Sequence, residues 1–199
     1  MNLTATLQHF YLVFMASIFI LSIGLVLGIS AYVVKWIRKP ILLLLDLFQT
    51  IPSLATLGFL VVIFGANATT VIIGLVMYSL LPVVKNTLLG LDSVSLGIKE
   101  AAMGMGMNQM QRLFCVELPL AFPMVYAGMR IAVVTSIGFA VFGAIVGGGG
   151  LGTILYRGVR IQNLGMILSG TATLMILSIV IDGFMGLVEK KYFQPKQGG

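Results

Sequence analysis

The chain reads as an all-α, polytopic membrane protein with five spans. Three observations predict this. First, 59% of its 199 residues are hydrophobic and 9% are charged, with a mean hydropathy of +1.09, which no ordinary water-soluble domain reaches. Second, the apolar residues fall into five runs, each near the ~20 residues that an α-helix needs to cross a bilayer. Third, Lys and Arg collect between alternate runs, as they do in cytoplasmic loops.

The first run, residues 9–34, stops at Lys35-Trp36-Ile37-Arg38-Lys39-Pro40. No Lys or Arg precedes Lys35, so the basic n-region of a cleavable signal is missing and the run is expected to remain as a span. The second run, 41–64, is interrupted by Gln49-Thr50-Ile51-Pro52-Ser53. At ~1.5 Å per residue this break lies near the bilayer midplane. Pro52 frees a backbone carbonyl, which is tolerated at that depth only beside a cavity or a neighbouring helix. Gln49, Thr50, Pro52 and Ser53 are therefore candidates for a translocation pathway. A kink satisfied by packing is the competing reading of the same residues.

An uncharged turn, 65–68, leads to the third run, 70–89, with Pro82 inside it. A polar stretch, 92–117, precedes the fourth run, 118–146. The Gly-rich segment 147–163 then leads to the fifth run, 164–188, which ends at Glu189-Lys190-Lys191. The basic clusters at 35–39, 85–112 and 189–196 alternate correctly if all three are cytoplasmic, with the N-terminus outside and the C-terminus inside. Arg157 and Arg160 break this pattern, in a short helix expected over 151–163 on the outer face. Their candidate role is docking of an acidic partner surface, and snorkelling to lipid phosphates competes with it. There is no internal repeat and no second domain, and an odd span count argues against the inverted-repeat plan of many secondary transporters.

The 92–117 stretch has helix punctuation of its own. Asp92, Ser93 and Ser95 are candidate N-caps, Gly106 can break a helix cheaply, and Asn108 with Gln111 has the spacing of a capping box. Two short helices across the membrane face, with a bend between them, are expected. Met103, Met107, Met110 and Phe114 form one apolar stripe at helical spacing. Flexible Met side chains suit a knob seated in a moving cleft, and packing on the protein's own spans is the alternative.

Several function classes are excluded. The single cysteine, Cys115, rules out an internal disulfide and is read as a packing thiol, while the single histidine, His9, is read as an interfacial imidazole. No metal-ligand cluster and no nucleophile–base arrangement exist, so no catalytic residue is expected. The run GGGGLGT at 147–153 has the glycine spacing of a P-loop, but Thr153 stands where the lysine must be. The chain is thus expected to lack an ATPase site. The net charge of +6 comes from clusters flanking the spans, so no nucleic-acid partner is expected. Asp46, Lys85, Arg130 and Asp182 lie in or near spans, where charges are costly unless paired. Lys85 is expected to snorkel, and Arg130 to pair with Asp182 or Asp46.

Glu100 to Pro119 reads EAAMGMGMNQMQRLFCVELP. Its spacing is E-A-A, three residues, Gly106, nine residues, Val116, one residue, Leu118-Pro119. This resembles the EAA loop of the permease subunits of ABC importers, with Val116 in place of the usual Ile. The stretches 49–55, 104–107, 116–130 and 146–158 are similar to one subgroup of these permeases, which moves osmoprotectants such as glycine betaine, carnitine and choline. The similarity covers roughly residues 40 to 190.

The resemblance implies the five-helix core of type I ABC importers, as one permease domain over 1–199. It implies that 92–117 is a cytosolic coupling loop, with Glu100 as its polar anchor, Ala101 and Ala102 allowing close approach, Gly106 at the bend, and Leu118 and Pro119 starting span four. It further implies a cytosolic ABC ATPase dimer that uses ATP, no cofactor bound by this chain, and a second copy or a related permease. An extracellular or periplasmic substrate-binding protein and membrane lipid complete the implied partners, in a multi-pass protein of a bacterial inner or plasma membrane. Two alternatives remain: a permease of the same fold for another small solute such as an amino acid, and an ATP-independent channel or secondary transporter.

Overall fold

A computed structural model describes residues 2–192. Residues 1 and 193–199, including the end of the 189–196 basic cluster, lie outside the described residues. Helix α1 (Leu3–Val33) starts where the Asn2 side chain accepts the Ala5 N–H at 3.3 Å. It is interrupted at Val34 alone, and α2 (Lys35–Thr50) follows at once. The basic cluster 35–39 is therefore not a loop after span one but the opening of a second helix.

Span two, expected over 41–64 with an interruption at 49–53, is broken there into two helices, the first of which begins already at Lys35. Helix α2 ends at Thr50, Ile51 and Pro52 are extended, and α3 (Ser53–Phe64) leaves at 100°. Pro52 lacks an N–H and biases Ile51 toward extended backbone, so the helix ends before the pair. Helix α4 (Ala68–Ser93) is capped by Asn67, whose side chain accepts the Thr70 N–H at 3.0 Å. Then come α5 (Leu96–Gly104) and α6 (Gln109–Arg112), followed by a π-helical turn over Leu113–Glu117. Helix α7 (Leu118–Phe139), a 3-10 turn (Ala140–Ala144), α8 (Gly152–Arg160) and α9 (Leu164–Tyr192) follow to the end of the described residues.

Among the described residues, four helical stretches are long and apolar enough to cross a membrane: Leu3–Val33, Ala68–Ser93, Gln109–Ala144 and Leu164–Tyr192. The bent pair α2–α3 makes a fifth if it counts as one span. Helix α4 is the centre, packed between α1 and α7. Val83 and Leu91 of α4 are buried in one core with Ile20 of α1 and Val125 of α7, while Val84 and Leu88 form a second with Ala31 of α1 and Leu45 of α2. Two glycines set how closely the helices approach. A Cβ on Gly28 would stand 2.7 Å from the Thr87 Cβ, and one on Gly128 would stand 2.5 Å from the Asn86 Cβ. Small residues at such crossings bring backbones into van der Waals contact, the main attraction between helices in lipid. Helix α9 lies at the edge on α7 and α8, with Ile176, Ile179, Phe184 and Leu187 exposed.

Candidate functional site

Helix α5 begins at Ser95, whose hydroxyl accepts the Ile98 N–H at 3.4 Å. Neither of the other two candidate caps acts as one. Asp92 accepts from the Arg38 guanidinium at 2.6 Å, and the Ser93 hydroxyl donates back to the Gly90 carbonyl. The helix stops at Gly104, and Gly106 turns the chain with φ of +82°. The Gly106 N–H closes that turn on the Met103 carbonyl at 2.9 Å. The expected capping box is present. Asn108 Oδ1 accepts the Gln111 N–H, and Gln111 Oε1 accepts the Asn108 N–H, both at 2.9 Å.

The second short helix is not separate, which corrects the expected arrangement. Helix α6 runs through the π turn into α7, so residues 109–144 form one helical stretch that starts nine residues before the expected span four. Pro119 explains the π turn. A proline ring inside a helix collides with the carbonyl four residues back. The wider i→i+5 turn just before Pro119, where the Leu118 N–H reaches the Leu113 carbonyl, moves that carbonyl aside.

The candidate coupling residues divide by exposure. Glu100, Ala101, Gly106 and Pro119 are exposed, Leu118 is half-buried, and Ala102 is buried. Of the apolar stripe, Met103, Met110 and Phe114 are each about half exposed at 49%, 56% and 54%. The stripe is thus not consumed by the protein's own spans. Cys115, expected to pack, is exposed beside it.

Beneath this surface lies a polar cluster that no sequence pattern singled out. Glu117, the residue between Val116 and Leu118, is fully buried. Its carboxylate accepts the Tyr32 hydroxyl at 2.5 Å and Arg112 Nε at 2.5 Å. Lys99 Nζ donates to the Tyr32 hydroxyl and to the Leu91 carbonyl, both at 3.0 Å. The only signal in the sequence was the density of charge around the motif, which cannot say which charges turn inward.

The break between α2 and α3 is closed by α4. Gln49 Nε2 donates to the Tyr78 carbonyl at 3.1 Å, and the Tyr78 hydroxyl donates to the Ile51 carbonyl, which the helix break leaves without a helical partner because the Ala55 N–H turns to Pro52. Thr56 Oγ1 lies 3.2 Å from that same hydroxyl, and the Phe139 ring sits 5.0 Å from the Tyr78 ring. A cavity of about 10 Å³, the room of one water molecule, lies between Ser53, Leu57, Gly74, Tyr78 and Phe139. Gln49, Thr50 and Pro52 are exposed, with Ser53 half-buried.

The other end of α1 meets the Gly-rich segment. Gly147, Gly149 and Gly150 all have positive φ, and the Gly150 N–H donates to Gln8 Oε1 at 3.3 Å. His9 is fully buried rather than interfacial, with Nε2 3.1 Å from the Ile137 carbonyl. Gln8 and Tyr32 are twenty-four residues apart on one helix, or ~36 Å at 1.5 Å per residue. The segment from Glu100 to Pro119 and the α8 segment therefore lie at opposite ends of the molecule. On α8, Arg157 and Arg160 are both exposed, beside exposed Tyr156 and Val159.

The charges within the helices pair as follows. Arg130 donates Nε to one Asp182 oxygen at 2.6 Å and a terminal nitrogen to the other at 2.8 Å, and also reaches Glu189 at 2.9 Å. Asp46, the alternative partner, is held by Lys85 at 2.8 Å, so Lys85 makes an ion pair rather than simply snorkelling.

The family model described as binding-protein-dependent transport system inner membrane component matches residues 8–194. The osmoprotectant import permease protein OsmW of Salmonella typhimurium is 38% identical over 182 residues, covering 89% of this chain and 85% of that one. The glycine betaine/carnitine/choline transport system permease protein OpuCD of Bacillus subtilis is 38% identical over 189 residues, covering 92% and 82%. In fold, the chain is similar to the inward-facing MetNI methionine ABC transporter, with a TM-score of 0.86, 24% identity and coverage of 96% and 95%.

Proposed function

The chain belongs to the family of binding-protein-dependent transport system inner membrane components, and from that premise we propose that it imports quaternary-ammonium osmoprotectants such as glycine betaine, carnitine and choline. One observation carries the solute class: the two permeases similar over nine-tenths of the chain are named for osmoprotectant import and for glycine betaine, carnitine and choline transport. The chain itself contributes the pathway and the coupling segment. ATP is bound and used by a separate cytosolic ATPase dimer, and solute is delivered by an extracellular or periplasmic binding protein. The working unit pairs this permease with a second copy or a related one, multi-pass in a bacterial inner or plasma membrane, with its N-terminus outside and its C-terminus in the cytosol. Asp92 to Pro119 then faces the ATPase, and α8 faces the binding protein.

Alternating access follows from this arrangement. Nucleotide biases a two-state element, and the exposed helix–turn–helix around Gly106 carries the motion into α7, with which α6 is continuous. The 100° break, with Gln49, Thr50, Pro52 and Ser53, is the part of the pathway most able to rearrange, because side chains rather than helical hydrogen bonds close it.

The test is uptake of radiolabelled glycine betaine, choline and carnitine by transport-deficient cells expressing this chain with its ATPase and binding protein. Saturable uptake of at least one of them, dependent on the ATPase, is expected. Uptake of amino acids alone would assign the fold to another solute, and uptake without the ATPase would make the protein a channel or secondary transporter.

The exposed pair on α8 carries a further expectation. Charges at an interface rim act mainly on association rate and its salt dependence. Reversing Arg157 and Arg160 to Glu together should weaken stimulation of ATPase activity by the binding protein and flatten its response to salt. Unaltered stimulation in the double variant would leave lipid phosphates as the partner of both side chains.

A further inference from the structure

The cluster around buried Glu117, in which Tyr32, Lys99 and Arg112 are half-buried, joins three helical parts of the chain. Tyr32 is on the last turn of α1, Lys99 is on α5 next to Glu100, and Arg112 and Glu117 bracket the π turn that leads into α7. The hydrogen bonds run in one line. Lys99 donates to the Tyr32 hydroxyl, that hydroxyl donates to one Glu117 oxygen, and Arg112 donates to the other. Lys99 is also held to the end of α4 through the Leu91 carbonyl.

A fully buried carboxylate is tolerated only with its oxygens satisfied, and here each oxygen has a donor from a different element. Tyr32 is the single link in this cluster between α1 and the rest. Its hydroxyl both accepts and donates, so it fixes the distance from α5 to α7 as well as the distance of each from α1. A π turn at the base of α7 adds a place where that helix can rewind by a residue without losing its ladder.

We propose that Tyr32, Lys99, Glu117 and Arg112 form a coupling latch that makes α1 move with the ATPase-facing helices. These are positioning residues, acting on the solute pathway through α1 and α7. The proposal rests on the reading of Glu100 to Pro119 as the ATPase-facing segment. In this view α5, when displaced by the ATPase, pulls on Tyr32 through Lys99 and on α7 through Glu117. Without the latch, α1 is left behind when α5, α6 and α7 move, and hydrolysis proceeds without transport.

The test uses the full complex of this chain with its ATPase and binding protein in proteoliposomes, measuring solute taken up per ATP hydrolysed. Tyr32→Phe removes one hydroxyl with little change in shape. It should retain the ATPase through purification and continue hydrolysis, while the transport-to-hydrolysis ratio falls about tenfold, the factor set by losing one hydrogen bond to a charged group. Lys99→Met reads the same link from the other side and carries the test if Tyr32→Phe is not recovered from membranes. Combining the two should add little to either alone, since both cut one line of bonds. A merely structural role would lower protein yield and leave the ratio of the surviving complexes unchanged. An unchanged ratio in both variants overturns the latch, and the docking reading then stands if Glu100→Lys still abolishes uptake. If Glu100→Lys also transports normally, the docking reading falls and the latch with it.

Discussion

Gly106→Pro and Glu100→Lys each abolish ATP-driven uptake while the chain still inserts in the membrane. Gly106 has φ of +82°, and proline locks φ near −65°, so the turn between α5 and α6 cannot form with proline in it. The substitution also deletes the N–H that closes the turn on the Met103 carbonyl. The turn sets the angle between α5 and α6, and with it the shape offered to the ATPase. Glu100→Lys leaves the backbone alone and reverses an exposed charge at the middle of α5. Like charge placed against a complementary interface costs several kcal/mol and excludes the partner. Both positions lie outside the apolar stretches, so insertion is unaffected. Uptake, membrane content and ATPase co-purification are measured together. Normal transport by both variants, with the ATPase still bound, would remove the coupling role from this segment. Gly106→Ala is a graded control, since a single alanine in the left-handed region costs only about 1–2 kcal/mol.

Replacing Arg130 by Met destabilises the folded chain, because one guanidinium here serves two carboxylates. The guanidinium holds both oxygens of Asp182 and one of Glu189, tying α7 to the last turns of α9. Without it two carboxylates face each other with no cation between them. An unpaired charge at membrane depth costs about 2.5–3.5 kcal/mol on insertion scales. The side chains are about a quarter to two-fifths exposed in the isolated chain, so part of that cost is relieved by water or lipid headgroups. Thermal stability in detergent and yield of monodisperse protein should both fall. The compensating variant Arg130→Met, Asp182→Asn, Glu189→Gln should recover most of the loss, because no net charge is then stranded. Arg130→Lys should lie between, since an ammonium cannot reproduce the two-pronged contact with Asp182. If the triple variant is no more stable than Arg130→Met, the cost is one of packing volume and not of charge.

The parts of the structure that were legible in the sequence are local ones. Ser95 and the Asn108–Gln111 box sit three residues from their targets, so their spacing alone shows where α5 and α6 start. Gly106 was readable as the bend because no other residue type takes a positive φ at so little cost. Pro52 marked a break in span two, but not the size of the bend. A proline interrupts the backbone ladder wherever it stands, but the angle taken up afterwards depends on what meets the freed groups. Here Tyr78 does, twenty-seven residues away, and the two halves diverge by 100°. Asp92 was read as a cap for the same reason in reverse: its side chain is the right kind, but Arg38, fifty-four residues back, holds it instead.

His9 and Glu117 show the limit most sharply. Both are polar residues at the ends of apolar runs, where the sequence places interfacial side chains, and both are fully buried. The sequence by itself determined that the chain spans a membrane, where its helices are punctuated, and which twenty residues carry the family's spacing. These follow from composition and from neighbours within a turn or two. Only the tertiary structure decided which charges turn inward, which partner each takes, and that Tyr32 joins α1 to the segment around Glu117. The physical reason is that burying a charge is unfavourable on its own, so its position is settled by a donor supplied from elsewhere in the fold, and no local pattern records that donor.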